Sequence, residues 1–299
     1  MQNITSIHSL SDSQVRQFDE QGVIGPFTLL EREEALSLWN HRIRKELLYR
    51  QNCVFQDSKL NYDRHLDIKS VQEIVCSPQI VEKLKSIMGP DILCWRTEWF
   101  PKYPGDAGTV WHQARRFYEF EGQPKLRAPD EVVDSGRYWV ITVWIAMVDA
   151  TIENGCMKFL PGSHKEEWYF DESRDSQFIE QNGSKEAAKG GGFFGYDWED
   201  LKVNKNWSPD ESKALSMEVK AGQFFMFTSK CVHGSYPNIS KTDSRFAMAA
   251  RYVIPEIFVY ENMESFKGLG EVLSLDKYST LLVAGEDKFK RNKVAKPWL

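Results

Sequence analysis

The chain has 299 residues and a net charge of -5, and 41% of it is hydrophobic and 13% aromatic. This composition suffices for a packed core and lacks the positive charge typical of a nucleic-acid-binding protein. No apolar run reaches the roughly 18 residues of a membrane span, and the start, MQNITSIHSL, lacks the features of a secretory signal. We therefore expect a folded protein with neither nucleic acid nor a membrane among its partners.

The cysteines indicate a reducing compartment. The five are scattered, form no CxxC pair and are odd in number: Cys53, Cys76, Cys94, Cys156 and Cys231. Such a pattern favours free thiols over a disulfide framework or a zinc site. We expect a cytoplasmic protein.

The first 90 residues are predicted to be a helical lead-in. Ser11 and Gln14 form the capping-box pattern of a helix start, and Gly22 is typical of a helix end. Apolar residues recur at helical spacing further on. Helices are therefore predicted at residues 11–22 and 31–48, and two short helices, broken at Pro78, at 71–89.

The sequence beyond residue 90 changes in character. Short stretches rich in Val, Ile, Thr and aromatic residues alternate with Gly and Pro breaks: ILCWRTEWF, VITVWIAMVD, CMKFLPG, LSMEVKAGQFFMFT and RFAMAARYVIP. Many short strands after a helical segment predict a mainly β fold with surrounding helices, a cupin-like jelly roll (double-stranded β-helix). We expect one domain over residues 1–299, with the jelly-roll core at about 91–260 and a C-terminal extension at 261–299. The polar stretch 171–215 is interpreted as a long insertion.

Two of the six histidines stand in β-favouring runs. His112 lies in GTVWHQA and His233 in FFMFTSKCVHGSYP, and strands far apart in sequence can meet at the mouth of a jelly roll. Two residues after His112, where a metal site would present an acid, the chain has Ala114. Arg245 and Arg251 share one face of a predicted strand, and an arginine that points into a barrel needs an anion.

These stretches resemble a known family. A His-x-acid pair, a distant His and an Arg about twelve residues later are the pattern of non-haem Fe(II), 2-oxoglutarate-dependent oxygenases of the phytanoyl-CoA dioxygenase type. A closer likeness is to the syringomycin-type halogenases of non-ribosomal peptide pathways. It is carried by CWRTEWFPKYPGDAGTVWHQA, TVWIAMVDATIENGCMKFLPG, GFFGYD and HGSYP.

The resemblance implies a site in which iron has lost its acidic ligand. His112 and His233 would bind Fe(II), Ala114 would leave a position for chloride, and Arg245 would clamp the distal carboxylate of 2-oxoglutarate. With O2, such an enzyme chlorinates an unactivated carbon. The remaining matches are Thr109 and Trp144 beside 2-oxoglutarate, Thr142 and Arg251 near the halide, and Glu98, Phe100 and Phe194 at the substrate pocket.

The sequence departs from the family immediately after the metal motif. Arg115, Arg116 and Glu119 stand where smaller or neutral polar residues are usual, so substrate identity does not carry over. The resemblance implies an aminoacyl group tethered to an acyl or peptidyl carrier protein by a phosphopantetheine thioester, with Glu98 meeting its α-amine. A free acidic small molecule, anchored by Arg115 or Arg116, is the alternative.

Two further readings of the missing acid remain open. A hydroxylase could take its third ligand from water or from Asp106 or Glu119, although neither has the two-residue spacing that places both side chains on one strand face. A jelly roll that had lost its metal could instead be a binding module. Retention of both histidines and of the arginine argues against such decay.

Overall fold

The structure is a computed structural model that describes residues 6–56, 58–114, 124–169, 198–199, 201–268 and 271–298. Within them, helices form the first layer of the fold. They are α1 Asp12–Gln21, α2 Arg32–Leu38, α3 Arg44–Tyr49, α4 Lys69–Val75, α5 Pro78–Met88 and α6 Asp130–Asp134, with one π-helical turn, Trp39–Ile43, between α2 and α3.

The predicted ends of the first helix are confirmed. The Ser11 hydroxyl accepts a hydrogen bond from the Gln14 backbone, and the Gln14 side chain accepts one from the Ser11 backbone, which satisfies two otherwise unpaired amides. Gly22 ends the helix with a φ of 75°, a left-handed conformation that glycine adopts without strain.

The strands form two principal sheets. The strands are β1 Val23–Thr28, β2 Ile92–Lys102, β3 Thr109–His112, β4 Leu126–Arg127, β5 Val140–Ala146, β6 Met157–Phe159, β7 Leu215–Met217, β8 Gln223–Phe227, β9 His233–Ser235, β10 Arg245–Val253, β11 Phe258–Val259, β12 Ser265–Gly268, β13 Glu271–Ser274, β14 Thr280–Ala284 and β15 Val294–Ala295. The major sheet has the order β1-β8-β5-β10-β2-β14-β15, the minor sheet has the order β3-β9-β6-β7, and two short two-stranded sheets, β4 with β11 and β12 with β13, accompany them. Apart from the parallel pair of β14 and β15 at one edge, the strands of both sheets pair antiparallel, and with the helices outside they form the cupin-like jelly roll that the sequence predicts.

The alternation of side chains along the major sheet separates its two faces. On β5, Ile141, Val143 and Ile145 join the cluster that contains the helical residues, whereas Trp144 and Ala146 join the cluster between the sheets. Antiparallel pairing of β10 with both β5 and β2 places Arg245, Ala247, Ala249 and Arg251 on that same inner face. The space between the sheets is therefore where the functional candidates lie.

Both ends of the chain depart from the predicted boundaries. Strand β1 lies inside the segment where only helices are predicted, because it pairs with β8 at the edge of the major sheet. Strand β14, in the predicted C-terminal extension, pairs with β2 and widens the same sheet. Most of the predicted insertion at 171–215 lies outside the described residues. No helix in the described part of the chain is long and apolar enough to cross a membrane.

Candidate active site

The minor sheet brings two histidines together. His112, at the end of β3, is the cross-strand partner of His233, at the start of β9, and their ring centroids are 4.2 Å apart. The backbones approach closely here, since a Cβ on Gly234 would lie 2.6 Å from the Thr109 carbonyl oxygen. Both side chains are buried, and Phe227 packs its ring 4.9 Å from that of His233. Residues 121 positions apart in sequence thus form one pair, as expected for a metal site.

Backbone contacts fix which nitrogen of each ring faces inward. His112 Nδ1 lies 2.8 Å from the carbonyl oxygen of Val110, and His233 Nδ1 lies 2.7 Å from that of Cys231. A carbonyl oxygen can only accept, so each Nδ1 carries the proton and Nε2 is the basic nitrogen. This is the arrangement by which proteins orient a metal-binding histidine.

Both imidazoles are neutral. Burial, with the nearby His233, holds the pKa of His112 well below its ordinary value. Burial, with Arg251 nearby, lowers the pKa of His233 to about 4. Neutral imidazoles are the form that binds a divalent metal.

Ala114 lines the same cavity as this pair, and among the described residues no acidic side chain lines it. Its backbone amide donates to the carbonyl oxygen of Ser229 over 2.9 Å, which places the two residues side by side at the cavity wall. Ser229 is 2% exposed, and within the described residues its hydroxyl has no hydrogen-bond partner. Sequence reasoning missed Ser229, because a serine in a turn carries no pattern that marks it.

No group of three or more His, Cys, Asp or Glu side chains that could hold a metal occurs in the described ranges. Asp106, one candidate for a third ligand, is exposed and accepts a hydrogen bond from the Tyr103 amide instead. Two histidines with inward-facing Nε2 atoms fit Fe(II) bound by fewer protein ligands than the usual two histidines and one carboxylate.

Arg245 places a buried positive charge at the side of the cavity away from the two histidines. Arg245 is 3% exposed, donates to the Gly155 carbonyl oxygen over 3.0 Å and stacks near Trp144, with 5.3 Å from guanidinium carbon to ring centroid. Burial lowers its pKa to about 10, and its Nε has no hydrogen-bond partner among the residues described. A buried guanidinium with an unused donor is suited to a carboxylate ligand.

Lys102 adds a second cation that the sequence analysis did not identify. Its Nζ donates to the Ser235 hydroxyl and to the Tyr236 carbonyl oxygen, both over 2.7 Å, and the Ser235 hydroxyl donates to that of Thr109 over 3.0 Å. In the described part of the chain neither Lys102 nor Arg245 forms an ion pair. Two buried cations without a counter-ion fit the distal carboxylate of 2-oxoglutarate. Strand position could have signalled Lys102, since Phe100 and Lys102 share one face of β2.

The remaining candidates line the same cavity, which has a volume of about 60 Å3. It is lined by Phe100, Thr109, His112, Ala114, Thr142, Trp144, His233, Arg245 and Arg251 together with residues not predicted, among them Met157, Phe227 and Ser229. Such a volume holds several water-sized groups. Phe194, Arg115, Arg116 and Glu119 lie outside the described residues.

Glu98 is placed differently from the other candidates. Its carboxylate is buried and is paired with two guanidiniums, with Arg251 through Oε2 and with Arg96 through Oε1 at 3.0 Å. Burial opposes its ionisation, but the two arginines lower its pKa to about 2. Glu98 therefore neutralises arginine charge in this structure, and its contact with a substrate amine stays a prediction.

Two further histidines lie in other parts of the fold. His65 is fully buried in a 3-10 turn, with Nδ1 2.9 Å from the Thr97 hydroxyl oxygen. His164 is half-buried, with Nε2 3.1 Å from the Asp19 carbonyl oxygen. Neither lines the cavity around His112.

The burial of Lys102 predicts that 2-oxoglutarate binding depends on pH. Burial, with Arg245 nearby, lowers the pKa of Lys102 to about 8, so the amine is charged below that pH and neutral above it. A bound anion favours the charged form and raises this pKa, so 2-oxoglutarate affinity should fall as the pH rises above about 8. Calorimetric measurement of binding from about pH 7 to about pH 9, roughly one unit on either side of that pKa, should show the loss.

The matched variant for this prediction is Lys102→Met, which retains much of the side-chain volume without the charge. We expect weaker binding and a much flatter pH dependence over the same range. An unchanged pH dependence in Lys102→Met would assign the titration to another group.

Two inward-facing histidines in a jelly roll, with a buried arginine across the cavity, are an arrangement that suits a non-haem metal-dependent oxygenase. Residues 18–247 match the family model for phytanoyl-CoA dioxygenase, PhyH. The chain belongs to this family of Fe(II)- and 2-oxoglutarate-dependent, dioxygenase-type oxidoreductases.

Solved and curated relatives agree with this membership. The structure titled "CytC3 with Fe(II) and alpha-ketoglutarate" is 33% identical, with a TM-score of 0.75 over 97% of this chain and 94% of that one. The dioxygenase lolE1 of Epichloe uncinata is 32% identical over 96 residues, 32% of each chain. A probable alpha-ketoglutarate-dependent hypophosphite dioxygenase of Stutzerimonas stutzeri is 26% identical over 188 residues, 62% of this chain and 53% of the relative. The matches thus span about a third to a half of the curated relatives' length.

Proposed function

We propose that this protein is an Fe(II)/2-oxoglutarate-dependent halogenase that chlorinates an unactivated aliphatic carbon. The observation that carries the proposal is Ala114, which lies at the cavity wall where a facial triad would present its carboxylate. CytC3 has been solved with Fe(II) and alpha-ketoglutarate, and the groups of this chain suit both.

The two ends of the cavity have separate tasks. His112 and His233 would hold Fe(II) through Nε2, while Arg245, Lys102 and Thr109 would orient 2-oxoglutarate by its distal carboxylate. When bound, the iron and 2-oxoglutarate would activate O2, which is the oxidant for removal of a hydrogen atom from the substrate. The protein fixes the directions of the ligands and excludes bulk water, which is how it selects one outcome of that chemistry.

The hollow at Ala114 suits a halide. A missing carboxylate leaves one coordination position and one unit of negative charge unfilled, and a chloride ion is small enough to supply both. The surrounding groups favour an anion, since the Ser229 hydroxyl is an unused donor and Arg251 lines the same cavity. An aspartate at this position would occupy the volume and repel the halide.

The direct test is turnover with iron, 2-oxoglutarate, O2 and chloride, followed by mass spectrometry of the product. We expect a mass increase that corresponds to replacement of one hydrogen by chlorine, with the chlorine isotope pattern. A product that carries only added oxygen, at chloride concentrations that saturate the site, would support a hydroxylase instead. Succinate formation without either product would leave the halogenase proposal contradicted for the substrates used.

We further propose that the substrate is an aminoacyl group on a carrier protein, a proposal supported by the likeness to tethered-substrate halogenases. Glu98 offers less support than the sequence indicated, because its carboxylate is already paired with two arginines. Carrier-loaded aminoacyl thioesters should turn over at least about tenfold faster than the same free amino acids, since remote binding energy is used to position the reacting carbon. Equal turnover of the free amino acid would favour a free small-molecule substrate.

A further inference from the structure

A chain of alternating buried charges begins at Arg251 on the cavity wall. Arg251 pairs with Glu98, Glu98 pairs with Arg96 at 3.0 Å, and Arg96 Nε lies 3.6 Å from a carboxylate oxygen of Asp63. Each of these side chains is 8% exposed or less. The series runs from the inner face of the jelly roll to the turn that contains Asp63.

Ring contacts and a hydrogen bond hold the Arg96 side chain in place. Its guanidinium lies over the rings of Tyr62 and Phe266, at 4.6 and 4.8 Å from the centroids, and it also hydrogen-bonds the Tyr260 hydroxyl. The Asp63 carboxylate is held in turn by the Thr97 amide at 3.0 Å. These contacts hold the Arg96 guanidinium against Glu98, and burial keeps its charge away from solvent.

The order of the charges has an electrostatic consequence for the cavity. If Glu98 paired with Arg251 alone, it would offset the positive charge of Arg251, and the cavity near Arg251 would attract an anion less strongly. Arg96 shares the same carboxylate and Lys125 also acts on it electrostatically, so that cations outnumber this one nearby anion, and Asp63 lies one step further away. In a buried site of low effective dielectric constant, charges at this range still act on one another.

We propose that Arg96 is a positioning residue that acts through Glu98 to keep the Arg251 end of the cavity attractive to a halide. Arg96 does not line the cavity and is no ligand of the halide. This inference rests on the proposed halogenase function and names the buried group that sets the strength of halide binding.

The test removes a positive charge at Arg96 and, separately, the negative charge at Glu98, and compares how each variant binds chloride. The chloride dissociation constant is measured from the shift of the visible absorption band of the anaerobic Fe(II)–2-oxoglutarate complex. Arg96→Met should weaken chloride binding roughly tenfold, the effect of one unit charge at about 10 Å and an effective dielectric constant of about 20. Glu98→Gln should tighten it, because it removes the negative charge from between the two arginines.

Three further variants separate charge from packing. Arg96→Lys keeps the charge and should restore most of the chloride affinity. Arg64→Met removes another buried guanidinium, which is paired with Asp67 at 2.8 Å and does not belong to this series of charges. It should leave the chloride affinity unchanged. Should Arg96→Met fold poorly, Arg96→Met combined with Asp63→Asn removes opposite charges together, and it should still bind chloride more weakly than the parent.

The outcomes are distinguishable. Weaker binding in both Arg96→Met and Glu98→Gln would indicate loss of packing alone and would overturn the proposed role of Arg96. A parental response to chloride that no variant alters would overturn this inference and leave the halogenase proposal standing. Absence of any chloride response in the parent would overturn both.

Discussion

Ala114→Asp should abolish chlorination. The new carboxylate would stand beside two neutral histidines and under the influence of Arg251, which lines the same cavity, so it should ionise, bind the metal and exclude the halide. The fold should be retained, because Ala114 is only half-buried and its backbone hydrogen bond to Ser229 does not depend on its side chain. Mass spectrometry of the product measures the loss, and iron content shows that the metal is still bound.

Two comparisons make this prediction specific. Ala114→Gly keeps the hollow and should retain chlorination, with at most a modest change in rate. Efficient hydroxylation should not replace chlorination in Ala114→Asp, because a metal-binding carboxylate also depends on neighbouring groups that orient it. Chlorination by Ala114→Asp at the parental rate would place the halide elsewhere.

Arg245→Ala should weaken 2-oxoglutarate binding strongly. Arg245 is the buried guanidinium with an unused Nε donor, and loss of a buried charged partner of this kind costs about 2–5 kcal/mol. At about 1.4 kcal/mol for each factor of ten, the dissociation constant should rise by roughly thirtyfold or more. Calorimetric titration, or the visible band of the anaerobic complex, measures the change directly.

The matched control is Arg137→Ala, which removes an arginine that is half-exposed and paired with Glu256 far along the chain. It should leave 2-oxoglutarate affinity unchanged. Arg245→Lys keeps the charge but loses the planar fork, and its affinity should be intermediate. If Arg245→Ala bound 2-oxoglutarate as tightly as the parent, the distal carboxylate would have another partner, with Lys102 the first to examine.

The sequence was informative wherever periodicity or a local motif carries the structure. The capping box at Ser11 and the strand character of β10 are both local properties, and both are confirmed. The inner face of β10 followed from alternation alone, so Arg245 and Arg251 could be assigned to one side of a strand before their neighbours were known.

What the sequence could not supply is the set of partners that come from distant strands. Nothing near Lys102 indicates that it donates to Ser235, because that contact arises from the arrangement of the two sheets. The same holds for the pairing of Glu98 on β2 with Arg251 on β10, which adjacent strands bring together from positions 153 residues apart. Strand β1 was missed because its pairing with β8, more than any propensity of VIGPFT, makes it a strand.

Chloride titration of the anaerobic Fe(II)–2-oxoglutarate complex tests the central claim most directly, because it asks whether a halide binds the iron at Ala114. We expect chloride to shift the visible charge-transfer band saturably and to tighten 2-oxoglutarate binding, while sulfate at equal ionic strength does neither. In Ala114→Asp the shift should disappear. A band that responds equally to chloride and sulfate, or a response that survives in Ala114→Asp, would contradict a halide site beside this alanine.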